Sequence, residues 1–445
     1  MAKCRRWYEV LISALVVISL LFSFTNYVYV SAVSAVTLVF AAFVFGGRTR
    51  RLNDITIRLF WFFFYCAISV LLTNPRQLID FGFYRYDGNL FITFAPLLVL
   101  SMSEIRFDTK RILFWFVTIS SIANLAGMVL YFAQRPPEYA FFFTAHNAAG
   151  GFLAMLVVFN GYLVFTKKEL RWISVVFLVT NLLGLYLTNS RGSLLPLVGA
   201  VFVALLMKKW AKADLWLTAL LVGGIFVLAA FIASVRGDDV IVHYDEYQLP
   251  AAFAGSRLSS ALGLFNRSWT MINRLYYLWP KAVYLFGKSP FFGVGFGTFN
   301  DNSYNWLGFE GLAYLNVGSV YVNGSNHAHN SYLHILAETG IFGFALFTGL
   351  LLSIRKFILR MEDKKLAGAL LVTFLYAAYS GLFEHRLTTP AQMIPFVLLL
   401  GMEVSNSRAC VVKKKAVVSL LAAGVIPTNR PCVSNGEGLI GGDSK

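Results

Sequence analysis

The chain has 445 residues, 58% of them hydrophobic and only 13% charged, with a mean hydropathy of +0.65. No soluble domain can hide that much apolar surface, so a polytopic membrane protein is expected. The formal net charge of +16 falls in short clusters between apolar runs, which reads as a topology signal and as attraction to anionic membrane lipids, with no nucleic acid as partner.

Apolar runs begin near Trp7, Tyr29, Leu59, Asn89, Ile112, Ala148, Trp172, Gly192, Leu215, Tyr332, Leu366 and Ala391. They predict an all-α fold of about twelve transmembrane helices. The opening MAKCRRW and the run after it lack a small-residue cleavage site, so the first helix is expected to be retained. Alternate connections, at residues 3–6, 48–58, 106–111, 167–171, 208–212, 355–365 and 408–415, are basic. By the positive-inside rule these are cytoplasmic, as are both termini.

Residues 1–235 then carry helices one to nine, 236–329 one large external loop, 330–404 helices ten to twelve, and 405–445 a cytoplasmic tail. A loop of that length between membrane helices is usually functional. Within it, 267–288 reads as an amphipathic helix up to Pro280, suited to lie at the interface with its basic side chains snorkelling. In the tail, 416–426 is too short to span and is expected against the inner face; 427–445 is polar and glycine-rich. Cys4, Cys66, Cys410 and Cys432 have no metal-ligand spacing, and no disulfide is expected.

Polar chemistry meets a membrane helix at residues 325–343, SNHAHNSYLHILAETGIFG. His329 and Asn330 are followed after nine residues by Gly340 and after two more by Gly343. The glycines, one turn apart, would let a neighbouring helix approach, and Asn330 would cap the helix start. His329 would sit just outside that start, wet enough to titrate. A second pair, His146-Asn147, has Val157 where the first glycine should be.

Other candidates are cationic. Arg191 lies at a tight turn between two apolar runs, either an interfacial anchor or a planar fork for phosphate oxygens. Arg274 ranks with it, Arg267 comes next, and Arg76, Arg135 and Arg386 form a second tier that could guide anionic lipid. His327 and His329 could bind zinc, but no cysteine or nearby acidic third ligand accompanies them, so no metal is expected. His334, five residues after His329, should point to another face, and His243 sits in a polar loop. Glu338 and Glu384 are carboxylates that could orient a histidine. Neither a Walker loop, a dinucleotide fingerprint nor a GxSxG elbow occurs.

The His-Asn, nine, Gly, two, Gly spacing resembles the signature of the O-antigen ligase family, whose superfamily includes O-antigen polymerases and O-oligosaccharyltransferases. Arg191 with Leu195 fits the family's Arg, three residues, Leu pattern, and Arg274, Trp279, Ala282, Pro290, Gly293, Gly295 and Gly297 fit its pattern ahead of the histidine helix. The likeness covers about residues 185–345. It implies a GT-C-like, metal-independent, inverting glycosyltransferase without cofactor, at the periplasmic face of the bacterial inner membrane. The donor would be an undecaprenyl pyrophosphate-linked glycan and the acceptor a sugar hydroxyl of lipid A-core. His329 would be the general base, supported by His327, Asn330, Gly340 and Gly343, with Arg191, Arg274 and Arg267 on the pyrophosphate. The alternatives are a polymerase of the same superfamily, a protein O-oligosaccharyltransferase, or a non-catalytic lipid or glycan flippase.

Overall fold

The computed structural model describes residues 2–22, 37, 52–79, 83–84, 88–134, 139–143, 146–167, 169–236, 274–299, 327–387 and 389–422. The α-helices among them are α1 (Ala2–Phe22), α2 (Asp54–Thr73), α3 (Asn89–Met102), α4 (Thr109–Gln134), α5 (His146–Thr166), α6 (Arg171–Leu187), α7 (Arg191–Leu206), α8 (Ala213–Arg236), α9 (Trp279–Lys288), α10 (Ser331–Arg360), α11 (Lys364–Ser380) and α12 (Pro390–Ala422). Every expected apolar run falls on one of these helices except the run near Tyr29, which lies outside the described residues. The remaining helix, α9, belongs to the long loop.

Five segments among the described residues are long and apolar enough to cross a membrane: Asp54–Thr73, Thr109–Gln134, His146–Thr166, Ala213–Val235 and Ser331–Arg360. Shorter apolar helices stand beside them. Large apolar side chains face outward, such as Trp172 at 82% exposed and Trp216 at 75%, a surface that lipid solvates and water does not. Inside, small and polar side chains join the helices. Asn124 on α4 donates to Thr180 O (3.0 Å) and Asn181 Oδ1 (3.1 Å) on α6, where Gly184 leaves it room.

The longest apolar helix, α10, packs on α2, α9 and α11 and links two polar ends of the bundle. At one end the basic connections meet: Lys110 pairs with Asp363 (2.8 Å), Ser353 donates to Asp54 (2.8 Å), Arg355 binds Asp214, and Asn406 accepts from Phe107 N (2.7 Å). At the other end lie the starts of α5, α7 and α10 and the α11–α12 connection. Helix α10, Ser331–Arg360, runs from one end to the other.

Three local expectations change. Gly340 and Gly343 were expected to open one face of a continuous helix to a neighbour, but α10 breaks at Gly340 (φ 62°, ψ −167°). What approaches there is the backbone of residues 290–297. Val294 N and Gly295 N donate to Ala337 O and Glu338 O (3.0 Å each), and Ile341 N donates to Pro290 O (2.8 Å). The loop thus satisfies the groups that the break frees, which the low-dielectric interior requires. A helix neighbour does reach Gly343, where Tyr65 of α2 would lie 2.8 Å from an added Cβ.

Second, the helix does not stop at Pro280: a π-helical turn, Arg274–Leu278, leads straight into α9, whose first turn takes the proline because it needs no N–H from it. Trp279 through Val283 are buried between α8 and α10, so α9 is part of the protein interior and not a helix resting on the interface. Third, residues 416–422, expected as a separate segment, continue α12 to Ala422.

Candidate functional site

The start of α10 is stitched to the α11–α12 connection. Asn330 is the N-cap, and its Oδ1 accepts from Tyr332 N and Leu333 N (3.0 Å each). Its Nδ2 donates to Leu382 O (2.9 Å), Ser331 N donates to Gly381 O (2.7 Å), and Ser331 Oγ donates to Glu384 O (3.2 Å). These bonds fix the distance between two segments some fifty residues apart. His329, just before the cap, takes a left-handed backbone (φ 49°) that turns its side chain toward Glu384.

His329 Nδ1 lies 2.9 Å from Glu384 Oε2, and Arg274 Nη2 lies 2.7 Å from Glu384 Oε1. Burial opposes the charge on Glu384 most strongly. The hydrogen bond from His329 and the charges of Arg274, His329 and Arg386 outweigh it and hold the carboxyl well below the usual carboxylate range. An ionised carboxylate only accepts, so Nδ1 of His329 is the donor to Glu384, and it is the neutral form of the ring that would present a lone pair at Nε2. The histidine side chain is 26% exposed, open to a reactant where Glu384, at 12%, is not.

Positive charge surrounds this pair. The α7 N-terminus stands against it: a Cβ on Gly192 would touch Glu384 Cγ at 3.5 Å and Oε1 at 3.6 Å. Arg191, the first residue of that helix, is exposed. Arg386 was ranked among arginines that guide lipid, but it is 2% exposed and ties the site together. It donates to Ser193 Oγ (2.7 Å), Tyr376 Oη (2.8 Å), Asn147 O (3.3 Å) and Ser190 Oγ (3.4 Å). Ser190 Oγ in turn donates to Asn147 Oδ1 (3.1 Å). The His146-Asn147 pair, which lacks the glycine spacing, therefore begins α5 at the same site. The N-termini of α5, α7 and α10 converge here, and each adds partial positive charge.

Behind His329 lie three more imidazoles. His327 meets His329 edge-on (4.6 Å between centroids, 82°) and stacks on His385 (4.5 Å, 16°), and His385 meets His334 (4.5 Å, 74°). His334, expected on another face, joins this cluster because His329 is not helical and helical spacing does not apply to it. Burial, then neighbouring histidines, pushes His327 and His385 well below the ordinary imidazole value, so both rings are neutral. Glu338 lies beyond, with Oε2 3.4 Å from His334 Nε2 and Oε1 accepting from Phe299 N (3.0 Å). Of the two carboxylates, Glu384 orients the exposed histidine and Glu338 serves the loop.

His385 escaped the sequence reading. Its signal was there: Glu384, His385 and Arg386 stand in a row in a short connection between apolar runs. Among the described residues, no group of three or more His, Cys, Asp or Glu is arranged to hold a metal ion. Arg267, Arg135 and His243 lie outside the described residues. Arg76 is exposed on the 3-10 turn Pro75–Ile79, beyond α2.

No curated protein matches the chain. Residues 176–348 match the family described as O-antigen ligase. That segment contains Arg191, Arg274, His329 and the break at Gly340, while Glu384 and His385 lie beyond its end. With its array of apolar helices, the chain is a multi-pass membrane protein that carries an O-antigen ligase family domain over residues 176–348.

Proposed function

We propose that the protein is a metal-independent, inverting glycosyltransferase, moving a glycan from undecaprenyl pyrophosphate to a sugar hydroxyl of lipid A-core at the periplasmic face of the inner membrane. The observation that carries this reading is the contact of His329 Nδ1 with Glu384 Oε2 at 2.9 Å, in a cationic site at one end of the helix bundle. Nε2 of His329 takes the acceptor proton as its oxygen attacks the anomeric carbon. The C–O bond to the pyrophosphate breaks, and a single displacement inverts that carbon.

Polyprenyl pyrophosphate leaves without a proton if its charge is held. Arg191 supplies a bidentate donor at the positive end of α7. Arg274 supports from the other side, with one nitrogen on Glu384 and further donors on the same guanidinium. Arg267 remains a third candidate.

A purified transfer assay tests the roles. His329→Ala should lose on the order of a hundred- to ten-thousand-fold in rate, with donor binding intact. Arg191→Lys should lose most activity although charge is kept, because an ammonium cannot reproduce a fork. Wild-type rates in either variant would overturn that residue's role. A polymerase of the same superfamily would use the same chemistry, so the acceptor is tested in cells. On deletion, complete polymer accumulates on undecaprenyl pyrophosphate if the protein is a ligase, and single repeat units accumulate if it is a polymerase.

A further inference from the structure

We propose that His385, through its stack on His327, is a positioning residue for His329. The inference rests on His329 being the base of the proposed reaction, and goes beyond it by giving the buried histidines a task. A chain of ring contacts runs from the α10 helix to the base. His334, on the first turn of α10, is pinned at its back by the ring of Phe299 (5.0 Å) and lies 3.4 Å from Ala328 N through Nδ1. Its ring meets His385 nearly at a right angle, His385 lies face to face on His327, and His327 meets His329. The base is thereby held from two directions, by Glu384 at Nδ1 and by this buried stack on its flank.

The geometry argues against a proton wire through the same rings. Imidazole N–H groups lie in the ring plane, and the His327 and His385 planes are parallel within 16°. Neither ring aims a nitrogen at the other, so a relay would stop there, whereas a flat stack transmits position. A base must sit within a fraction of an ångström of the reacting hydroxyl, and a 1 Å displacement costs on the order of a hundredfold in rate. The left-handed backbone of His329 makes the need sharper, since it persists only where its surroundings over-determine it.

The test uses full-length protein in lipid nanodiscs, with kcat and donor KM measured for each variant and thermal midpoint measured in parallel. His385→Ala should lower kcat by about ten- to a hundredfold, with donor KM changed by less than about threefold. His385→Phe, which keeps a flat neutral ring, should recover kcat to within about threefold of wild type. If the alanine variant does not fold, His385→Leu fills the space without a flat face and should show the same kcat loss. Undiminished kcat in His385→Ala, or a phenylalanine variant as slow as the alanine or leucine one, overturns the positioning role. The control is His329→Ala: if it is inactive while His385→Ala is unimpaired, this inference alone fails. If His329→Ala is itself fully active, there is no base to position and both readings fail.

Discussion

At His329 a non-glycine residue holds φ at 49°, a conformation that costs on the order of 1–3 kcal/mol and must be secured by its neighbours. Glu384 is one of them. Replacing it by glutamine keeps the size and an acceptor oxygen but removes the charge that stabilises a protonated histidine. Glu384→Gln should therefore lose on the order of a hundredfold in kcat, with folding retained, in the same transfer assay. Equal kcat would make Glu384 only a partner for Arg274. The neutral histidine behind sets an acid limit on stability. His385 binds a proton in the folded protein only well below its ordinary value, whereas the unfolded chain binds it from about pH 6.5 downward. Stability that is fully present above that pH is lost progressively as the pH falls below it. Glu384, held low, stays charged through the same window. Thermal midpoints measured from pH 7 to pH 5 should thus fall more steeply for wild type than for His385→Phe; parallel curves would contradict this.

Among the helices, α10 shows how much a spacing can say. The run of apolar residues marked the helix, and Asn330 was legible as its cap because an N-cap depends only on local chemistry. The break at Gly340 was not legible, since glycines one turn apart serve close helix packing and a chain break equally well. Only the loop from Pro290, reached through folding, decides between them. The Glu384–His329 contact was hidden for the same reason: it joins residues 55 apart through a connection whose path the sequence does not specify. The break makes a sharp prediction. An added Cβ at Gly340 would lie 2.4 Å from the Phe291 carbonyl carbon, on a backbone open to glycine. Gly340→Ala should destabilise by about 3 kcal/mol or more. Gly199 of α7 and Gly368 of α11 have nothing within 4 Å of an added Cβ, and alanine there should leave the unfolding midpoint unchanged or raise it slightly. A Gly340→Ala midpoint equal to that of Gly199→Ala would mean the break relaxes into a continuous helix.

Across the whole molecule the two polar ends differ in what they hold. One gathers the connections in which Lys110, Arg355 and Arg408 pair with Asp363, Asp214 and Glu104. The other gathers His329, Glu384, Arg274, Arg191 and Arg386 around the starts of α5, α7 and α10. Lysine and arginine in short loops bias those loops to the cytoplasm, so the first end should face inward and the candidate site outward, where a translocated lipid-linked glycan would be met. Lys288, at the end of α9, and Glu362, between α10 and α11, are both exposed and mark the two ends. In a background with the native cysteines replaced, Lys288→Cys should react with a membrane-impermeant thiol reagent in intact spheroplasts, and Glu362→Cys should react only after the membrane is opened. Labelling of position 362 in intact spheroplasts, with position 288 protected, would invert the orientation. It would place the histidine site on the cytoplasmic face, where the proposed periplasmic transfer could not occur.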